Sequence, residues 1–255
     1  MERTVLVTGG TGTVGRGVVE RLAAGGHRVR VLSRRERSGR GPGTAHRGDL
    51  RDGRGLDAAL DGADTVVHCA TGYSGTADLR QARRLLAAAR RAGVRHLVYI
   101  SIVGVDAIGF GYYRGKLAVE EALAASGLGW TVLRTTQFHQ LVVRICALAA
   151  RPPLALAPDV PVQPVDADEV AARLAALAAG EPAGRVPDMG GPRVERLPDL
   201  LRTYLARSGR RRPVVAVPLP PIGAAAGYRA GRHLAPDGAV GRTGFAEFLA
   251  AGGGR

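Results

Sequence analysis

The sequence has few of the residues that mark secreted, metal-binding or membrane-spanning proteins. Its 255 residues include two cysteines, Cys69 and Cys146, which lie too far apart for a disulfide framework or a zinc-ligand spacing. No uncharged apolar stretch reaches the roughly 18 residues of a membrane-spanning helix, and the first residues run into strand-like sequence without a signal-peptide pattern. We therefore expect a cytoplasmic protein that holds no metal and contacts no membrane.

Aromatic residues are also scarce, at 4%, although the chain carries a formal net charge of +14. So basic a chain suggests a polyanionic partner such as nucleic acid. The arginines, however, are spread over the whole chain, and no zinc-finger, helix-turn-helix or RNP-like pattern presents them to bases. We expect a small-molecule substrate rather than a nucleic-acid partner.

Two further deficits make single positions informative. The sequence contains no asparagine, and Lys116 is the only lysine among its 36 lysine and arginine residues. Because arginine has replaced lysine at every other basic position, the one lysine deserves a chemical explanation.

Apolar, β-branched runs alternate with segments of helical periodicity through the first half of the chain. This alternation predicts an α/β fold of the Rossmann type, a doubly wound parallel sheet with helices on both faces. The predicted strands cover residues 5–7, 29–32, 65–68, 96–100 and 130–134. The predicted helices cover residues 14–24, 78–91 and 112–125.

The segment between the first predicted strand and the first predicted helix is rich in glycine. Gly9, Gly12 and Gly15 have the Gly-x-x-Gly-x-x-Gly spacing of dinucleotide-binding loops. Glycine allows a tight turn and the close approach of a pyrophosphate, whose charge meets the free N–H groups of the helix. A flexible turn is the alternative in a chain with 37 glycines. The strand–loop–helix context favours a nicotinamide dinucleotide, held by Gly9, Thr11, Gly12, Thr13, Val14 and Gly15.

The end of the second predicted strand indicates which dinucleotide to expect. An NAD-preferring site has Asp or Glu there, bound to the ribose 2′-hydroxyl, whereas this strand ends in Ser33, Arg34 and Arg35, with no acid before Glu36. Guanidinium groups form bidentate bonds with a 2′-phosphate. We predict NADP(H), bound by these three residues; solvated surface arginines are the alternative.

The texture of the sequence changes after residue 151, where prolines break the strand–helix alternation. We predict a dinucleotide-binding Rossmann domain over residues 1–158. Residues 159–255 are predicted to form a smaller, mixed α/β substrate-binding portion that packs partly back on the sheet.

Further segments resemble a known family. Together with the glycine motif, they are similar to an atypical short-chain dehydrogenase/reductase of the NmrA-like group. They read Gly-Asp-Leu-Arg-Asp at 48–52, Leu-Val-Tyr-Ile-Ser at 97–101, Tyr-Tyr-Arg-Gly-Lys at 112–116, Leu-Arg-Thr-Thr-Gln-Phe at 133–138 and Val-Gln-Pro-Val-Asp at 162–166. The resemblance implies that Asp49 and Leu50 line the adenine pocket, and that Ala70, Thr71 and Gly72 pass near the ribose and nicotinamide.

Tyr112 and Lys116 have the Tyr-x-x-x-Lys spacing on a predicted helix, where residues four apart share a face. The resemblance implies that the lysine binds the nicotinamide ribose hydroxyls and lowers the pKa of the tyrosine, which protonates the substrate carbonyl oxygen. An arginine is a poor substitute because its guanidinium is wider and directs its donors in a fixed fork. A surface Tyr/Lys pair is the alternative, and Tyr113 is an alternative to Tyr112.

Ser101 is the candidate for the hydroxyl that orients the substrate carbonyl. Aligned by the strand, Ile102 takes the catalytic place of the family; aligned by Gly104, Ser101 does. The asparagine that completes the proton relay in many relatives does not exist in this chain, so a proton must arrive through water or a ribose hydroxyl.

The candidates for substrate binding are Gln137, Phe138 and His139, which follow the strand predicted to end at Arg134. A histidine can donate to a substrate oxygen, although a buried histidine bonded to the backbone is as common. The predicted function is NADPH-dependent reduction of a ketone or quinone-like carbonyl on a small, apolar or polycyclic substrate. The alternatives are a non-redox epimerase, cyclase or isomerase on the same scaffold, and an NmrA-like regulator that senses NADP.

Overall fold

The computed structural model describes residues 2–34, 42–72 and 75–253. Seven strands form one sheet: β1 (Thr4–Thr8), β2 (Arg28–Ser33), β3 (Thr44–Arg47), β4 (Thr65–His68), β5 (His96–Ile102), β6 (Gly129–Thr135) and β9 (Gly184–Arg185). Their order in the sheet is β3-β2-β1-β4-β5-β6-β9, and β1 pairs in parallel with both β2 and β4. Helices lie between most of the strands that follow one another along the chain, so the predicted Rossmann-type fold is confirmed.

The helices begin and end close to the predicted bounds where a prediction was made. They are α1 (Thr13–Ala24), α2 (Leu56–Leu60), α3 (Gly75–Arg91), α4 (Gly111–Ala124), α5 (His139–Ala149), α6 (Ala167–Ala179), α7 (Leu197–Arg207), α8 (Gly223–Arg229) and α9 (Phe245–Ala250). No helix within the described residues is both long enough and apolar enough to cross a membrane.

Burial explains why the central strands were predictable and the edge strand β3 was not. Val5, Leu6 and Val7 of β1 are completely buried, as expected of a strand covered by helices on both faces. β3, by contrast, consists of mostly exposed polar residues and pairs only with β2. It is a strand because its backbone pairs with that of β2, and such pairing cannot be predicted from hydrophobic periodicity.

The chain forms two compact units that interleave along the sequence. Unit 1 comprises Met1–Ser101, Gly111–Leu133 and Asp168–Pro187, and its core is built on the strands of the large sheet. Unit 2 comprises Ile102–Phe110, Arg134–Ala167 and Asp188–Arg255. Because each unit draws on three segments, no single cut separates them, and the predicted division of roles at residue 158 stays a prediction.

Unit 2 has its own core, in which α5 and α9 both pack against α7. Two short two-stranded sheets complete it, one parallel and one antiparallel. They pair β7 (Ala155–Pro158) with β11 (Val214–Val217), and β8 (Pro161–Val162) with β10 (Glu195–Arg196).

The order of the strands determines where a ligand can bind in unit 1. β2 lies on one side of β1 and β4 on the other, so the direction of winding reverses beside β1. Nucleotides bind at such a switch point, outside the carboxyl ends of the strands. The loops that follow β1 and β4 meet there.

Candidate active site

The glycine loop after β1 packs directly against the chain that follows β4. Gly9 has φ +68°, and a Cβ on it would lie 2.6 Å from the backbone nitrogen of Ala70. A Cβ on Gly15 would lie 2.2 Å from the carbonyl oxygen of Gly9. Two of the three motif glycines are therefore required by the packing of the loop itself.

Gly12 is less constrained than the other two. Its backbone is extended, and a Cβ on it would make one tight contact, with the Gly9 carbonyl oxygen at 3.2 Å. Gly12 is the N-cap of α1, whose first turn has no acidic residue to neutralise the free N–H groups. The missing side chain and the unneutralised helix end fit a pyrophosphate.

At the end of β2, Ser33 is half-buried and its carbonyl accepts a hydrogen bond from the Gly48 backbone nitrogen at 2.9 Å. Arg34 follows and is exposed. Arg35 lies outside the described residues. Of the two arginines predicted to bind the 2′-phosphate, Arg34 is thus the one within the described residues, and its side chain is exposed.

Asp49 and Leu50, the candidates for the adenine pocket, have different environments. The Asp49 carboxylate accepts hydrogen bonds from the backbone nitrogen and the guanidinium of Arg51, at 2.9 and 2.7 Å. The Arg51 hydrogen bond is the main reason that the pKa of Asp49 is lowered. Leu50 is 6% exposed and belongs to the core of unit 1. The guanidinium of Arg51 therefore balances the charge of Asp49, and Leu50 contributes mainly to packing.

The loop after β4 carries Ala70, Thr71 and Gly72, and it holds a buried carboxylate that the sequence analysis missed. Asp78, in the first turn of α3, is 6% exposed. It accepts hydrogen bonds from the Gly72 backbone nitrogen at 2.5 Å and from Thr71 Oγ1 at 2.9 Å. Thr71 Oγ1 also lies 3.0 Å from Tyr112 Oη. This loop therefore joins α3 to the predicted catalytic tyrosine.

A contact between two glycines brings α3 and α4 together. A Cβ on Gly115 would lie 2.1 Å from the Cα of Gly75, so the two helices touch backbone to backbone. Gly115 stands between Tyr112 and Lys116 in sequence, and the contact carries both side chains toward Asp78. The glycine within Tyr-x-x-Gly-Lys was the sequence signal for this contact, but its partner was not recognisable.

Tyr112 and Lys116 lie on one face of α4, with the Lys116 Nζ atom 5.9 Å from the centroid of the Tyr112 ring. Lys116 is 4% exposed, and its Nζ lies 5.0 Å from the centroid of the Tyr99 ring in β5. A surface pair would be solvated, so burial of the lysine argues against that alternative. Burial lowers the pKa of Lys116 to about 8, although Asp78 is the first of the groups that counteract it.

Three groups or effects act on the acidity of Tyr112. Burial raises the pKa of Tyr112, the Thr71 hydrogen bond lowers it, and the charge of Asp78 raises it further. The lowering of this pKa by Lys116 stays a prediction. Tyr113, the alternative, is 6% exposed, and it is the Tyr112 hydroxyl that bonds to Thr71.

Ser101 lies in β5 two residues beyond Tyr99, so both side chains are on the same face of the sheet. That is the face over which Lys116 lies. Ser101 is 1% exposed, and its hydroxyl has no hydrogen-bond partner among the described residues. A buried polar atom without a partner needs an explanation, and a ligand in an active site is one.

The three candidates for substrate binding belong to unit 2. Gln137 donates to the His233 carbonyl at 3.2 Å and accepts from the Gln163 backbone nitrogen at 3.3 Å. Phe138 is half-buried at the start of α5. His139 is completely buried, and its Nε2 lies 3.0 Å from the Thr243 carbonyl oxygen. These contacts match the alternative of a core histidine, and the substrate roles stay predictions.

Comparison with known proteins identifies the family of this chain. Residues 9–141 match the NAD(P)H-binding family. Over 197 residues, 74% of this chain and 68% of the relative, the sequence is 39% identical to a (4-alkanoyl-5-oxo-2,5-dihydrofuran-3-yl)methyl phosphate reductase of Streptomyces griseus. It is 35% identical to an NAD(P)H azoreductase of Xenophilus azovorans over 144 residues, 53% of this chain and 49% of the relative.

The fold is similar to that of an NADPH-dependent quinone oxidoreductase from Escherichia coli, solved with NADPH. The TM-score is 0.74 over 97% of this chain and 99% of the other, at 21% identity. The chain belongs to the NAD(P)H-binding family. This family is part of the NAD(P)-binding superfamily of proteins similar to short-chain dehydrogenases/reductases. The predicted enzyme class, an oxidoreductase that uses a nicotinamide cofactor, is confirmed.

Proposed function

We propose that the protein is an NmrA-like, NADPH-dependent reductase that converts a ketone or quinone-like carbonyl of a small molecule into a hydroxyl. The observation that carries the proposal is the burial of Lys116, the only lysine of the chain, which is 4% exposed. It lies one helical turn from Tyr112, in a nicotinamide-binding fold that also has the glycine loop. A regulator that senses NADP has no need of this pair.

The proposed reaction consumes one NADPH and one proton for each carbonyl reduced. When bound, the cofactor supplies the hydride to the carbonyl carbon. Tyr112 gives its hydroxyl proton to the carbonyl oxygen, and Ser101 orients that oxygen by a hydrogen bond. Lys116 would donate to the ribose hydroxyls of a bound cofactor, and its charge would stabilise the phenolate. A proton from water restores the phenol, since an asparagine relay does not exist in this chain.

The residues that we propose for cofactor binding lie in the loops at the carboxyl ends of the strands. Gly12 and the start of α1 would hold the pyrophosphate, Arg34 and Arg35 would bind the 2′-phosphate, and Asp49 would line the adenine pocket. We further propose that residues 1–158 serve the cofactor and residues 159–255 the substrate, in a cytoplasmic enzyme.

For NADPH preference, we expect Arg34→Ala to weaken NADPH binding about tenfold and to leave NADH binding nearly unchanged. A charge-assisted bond to a phosphate is worth roughly 1.5–3 kcal/mol, and only NADPH has that phosphate. Calorimetric titration of both cofactors measures the difference. Arg28→Ala, at the amino end of the same strand, is the matched control. Equal loss for both cofactors would refute the assignment of Arg34 to the 2′-phosphate.

The substrate class is proposed from the names of the relatives. One reduces a phosphate ester of an oxo-dihydrofuran and another is an azoreductase. Both names describe reductases, and the first names an oxo-dihydrofuran substrate, which supports a test panel of ketones, quinones and acyl lactones. NADPH consumption with this panel is the direct test. Product formation without net NADPH oxidation would instead favour an epimerase, cyclase or isomerase, and binding without any turnover a regulator.

We expect Lys116→Arg to keep the fold and the charge yet to lower turnover about tenfold or more, because a planar guanidinium does not fit between two ribose hydroxyls. Steady-state kinetics and a thermal melt separate the effect on activity from one on stability. Arg114→Lys, an exposed position on the same helix, is the control and should change neither. An active Lys116→Arg variant would contradict the proposed role of the ammonium.

A further inference from the structure

The structure contains a buried carboxylate for which the proposed reaction has no use. Asp78 is 6% exposed and receives two hydrogen bonds, from Gly72 at 2.5 Å and from Thr71 at 2.9 Å. Burying a carboxylate is unfavourable unless it is bonded or paired. Only one of these donors is a side chain, and that side chain also contacts the proposed catalytic acid.

Thr71 connects Asp78 to Tyr112 through a single hydroxyl. Its Oγ1 lies 2.9 Å from Asp78 Oδ2 and 3.0 Å from Tyr112 Oη. A hydroxyl has one proton to donate. While Thr71 donates that proton to Asp78, it cannot donate it to a phenolate at Tyr112. Asp78 therefore competes for the hydrogen bond that would stabilise the deprotonated tyrosine.

Asp78 also acts on the other member of the pair. Lys116 is buried, and burial favours its neutral form. Among the groups that counteract this effect, Asp78 on α3 comes first, ahead of Cys69 after β4 and Glu120 on α4. Within the described residues, the other titratable groups that face Lys116 are His68, Tyr99 and Tyr112. Asp78 is in addition linked to Tyr112 by the hydroxyl of Thr71.

We propose that Asp78 is a positioning residue that keeps Tyr112 in its acid form and Lys116 as an ammonium, the two protonation states that reduction requires. This inference rests on the proposed function. The negative charge favours the protonated form of each group. With Asp78 in place, Tyr112 therefore holds the proton to be transferred, and Lys116 holds the charge that stabilises the phenolate left behind, up to a higher pH.

Because Lys116 is the only lysine, its protonation can be followed without any substrate. Labelling with ¹³Cε-lysine yields one side-chain NMR signal, whose shift reports the titration of Lys116. The pKa of Lys116 lies at about 8, within reach of such an experiment. In Asp78→Asn, which keeps a hydrogen-bond acceptor but removes the charge, we expect the midpoint to fall by about 1 pH unit.

Two controls isolate the charge of Asp78. Glu120→Gln removes a second acid near Lys116 and should lower the midpoint less, and Asp57→Asn removes an exposed acid on α2 and should not change it. Asp78→Ser, which also lacks the charge, serves if Asp78→Asn does not fold. An unchanged midpoint in a folded Asp78 variant, or an equal fall in Glu120→Gln, would overturn the inference whether or not the protein is a reductase.

The pH profile of kcat/KM tests the consequence for catalysis. Activity needs the ammonium and the phenol, so it falls as pH rises through the pKa of either group. In Asp78→Asn this basic limb should shift to lower pH by about 1 unit, with the rate recovering toward wild type at acidic pH. A purely structural role would lower the rate at every pH. That result would overturn the inference and leave the proposed reductase activity intact.

Discussion

Replacing Tyr112 with phenylalanine should lower kcat by about 10² to 10⁴, with a much smaller effect on NADPH binding. The hydroxyl proton is needed as negative charge develops on the substrate oxygen, whereas the ring can still pack in the same place. Stopped-flow or steady-state measurement of NADPH oxidation gives kcat, and fluorescence titration gives the affinity for NADPH.

Tyr113→Phe is the matched control for this experiment. Tyr113 is the next residue on the same helix and is 6% exposed, so its variant tests a general disturbance of α4. It should keep kcat within about twofold of wild type. If Tyr112→Phe runs at the wild-type rate while Tyr113→Phe does not, the acid has been assigned to the wrong tyrosine. If neither variant slows turnover, the acid must be sought near Ser101 or His139.

The second large effect is expected at Gly12. In Gly12→Val, NADPH binding should weaken by about 100-fold or more, because the branched side chain occupies the space that the pyrophosphate needs. The fold should survive, since the backbone of Gly12 is extended and a Cβ on it makes one tight contact, at 3.2 Å, which a small shift of the Gly9 carbonyl relieves. Fluorescence titration with NADPH and a thermal melt measure the two quantities separately.

Gly180→Val provides the comparison for Gly12→Val. Gly180 follows α6, and the nearest atom to a Cβ on it is 3.5 Å away, at ordinary van der Waals distance, so a side chain there meets no tight contact at its Cβ. This variant should bind NADPH as the wild type does. Normal NADPH binding by Gly12→Val would mean that the glycine loop serves only as a turn.

The features predictable from sequence are those that depend on neighbouring residues. β1, the glycine loop and α1 follow one another, so their identity is local and the apolar run, the spacing and the periodicity suffice. The shared face of Tyr112 and Lys116 follows in the same way from four residues of helix.

Features that depend on distant residues could not be predicted in this way. Asp78 and Tyr112 are 34 positions apart and meet through Thr71, and their proximity depends on the contact between Gly75 and Gly115. In a chain with 37 glycines and 22 acidic residues, nothing local distinguishes these positions. His139 illustrates the same limit, since only the packing of unit 2 buries it against Phe248 at 4.8 Å between ring centroids.

The sequence by itself determined the Rossmann-type fold, the glycine loop and the spacing of the proposed catalytic pair, because each follows from backbone geometry over a few residues. The tertiary structure alone decided that Lys116 is buried and that Asp78 is linked to Tyr112 through Thr71. Burial and charge proximity are what change the acidity of a side chain, and both arise only when separate segments pack together.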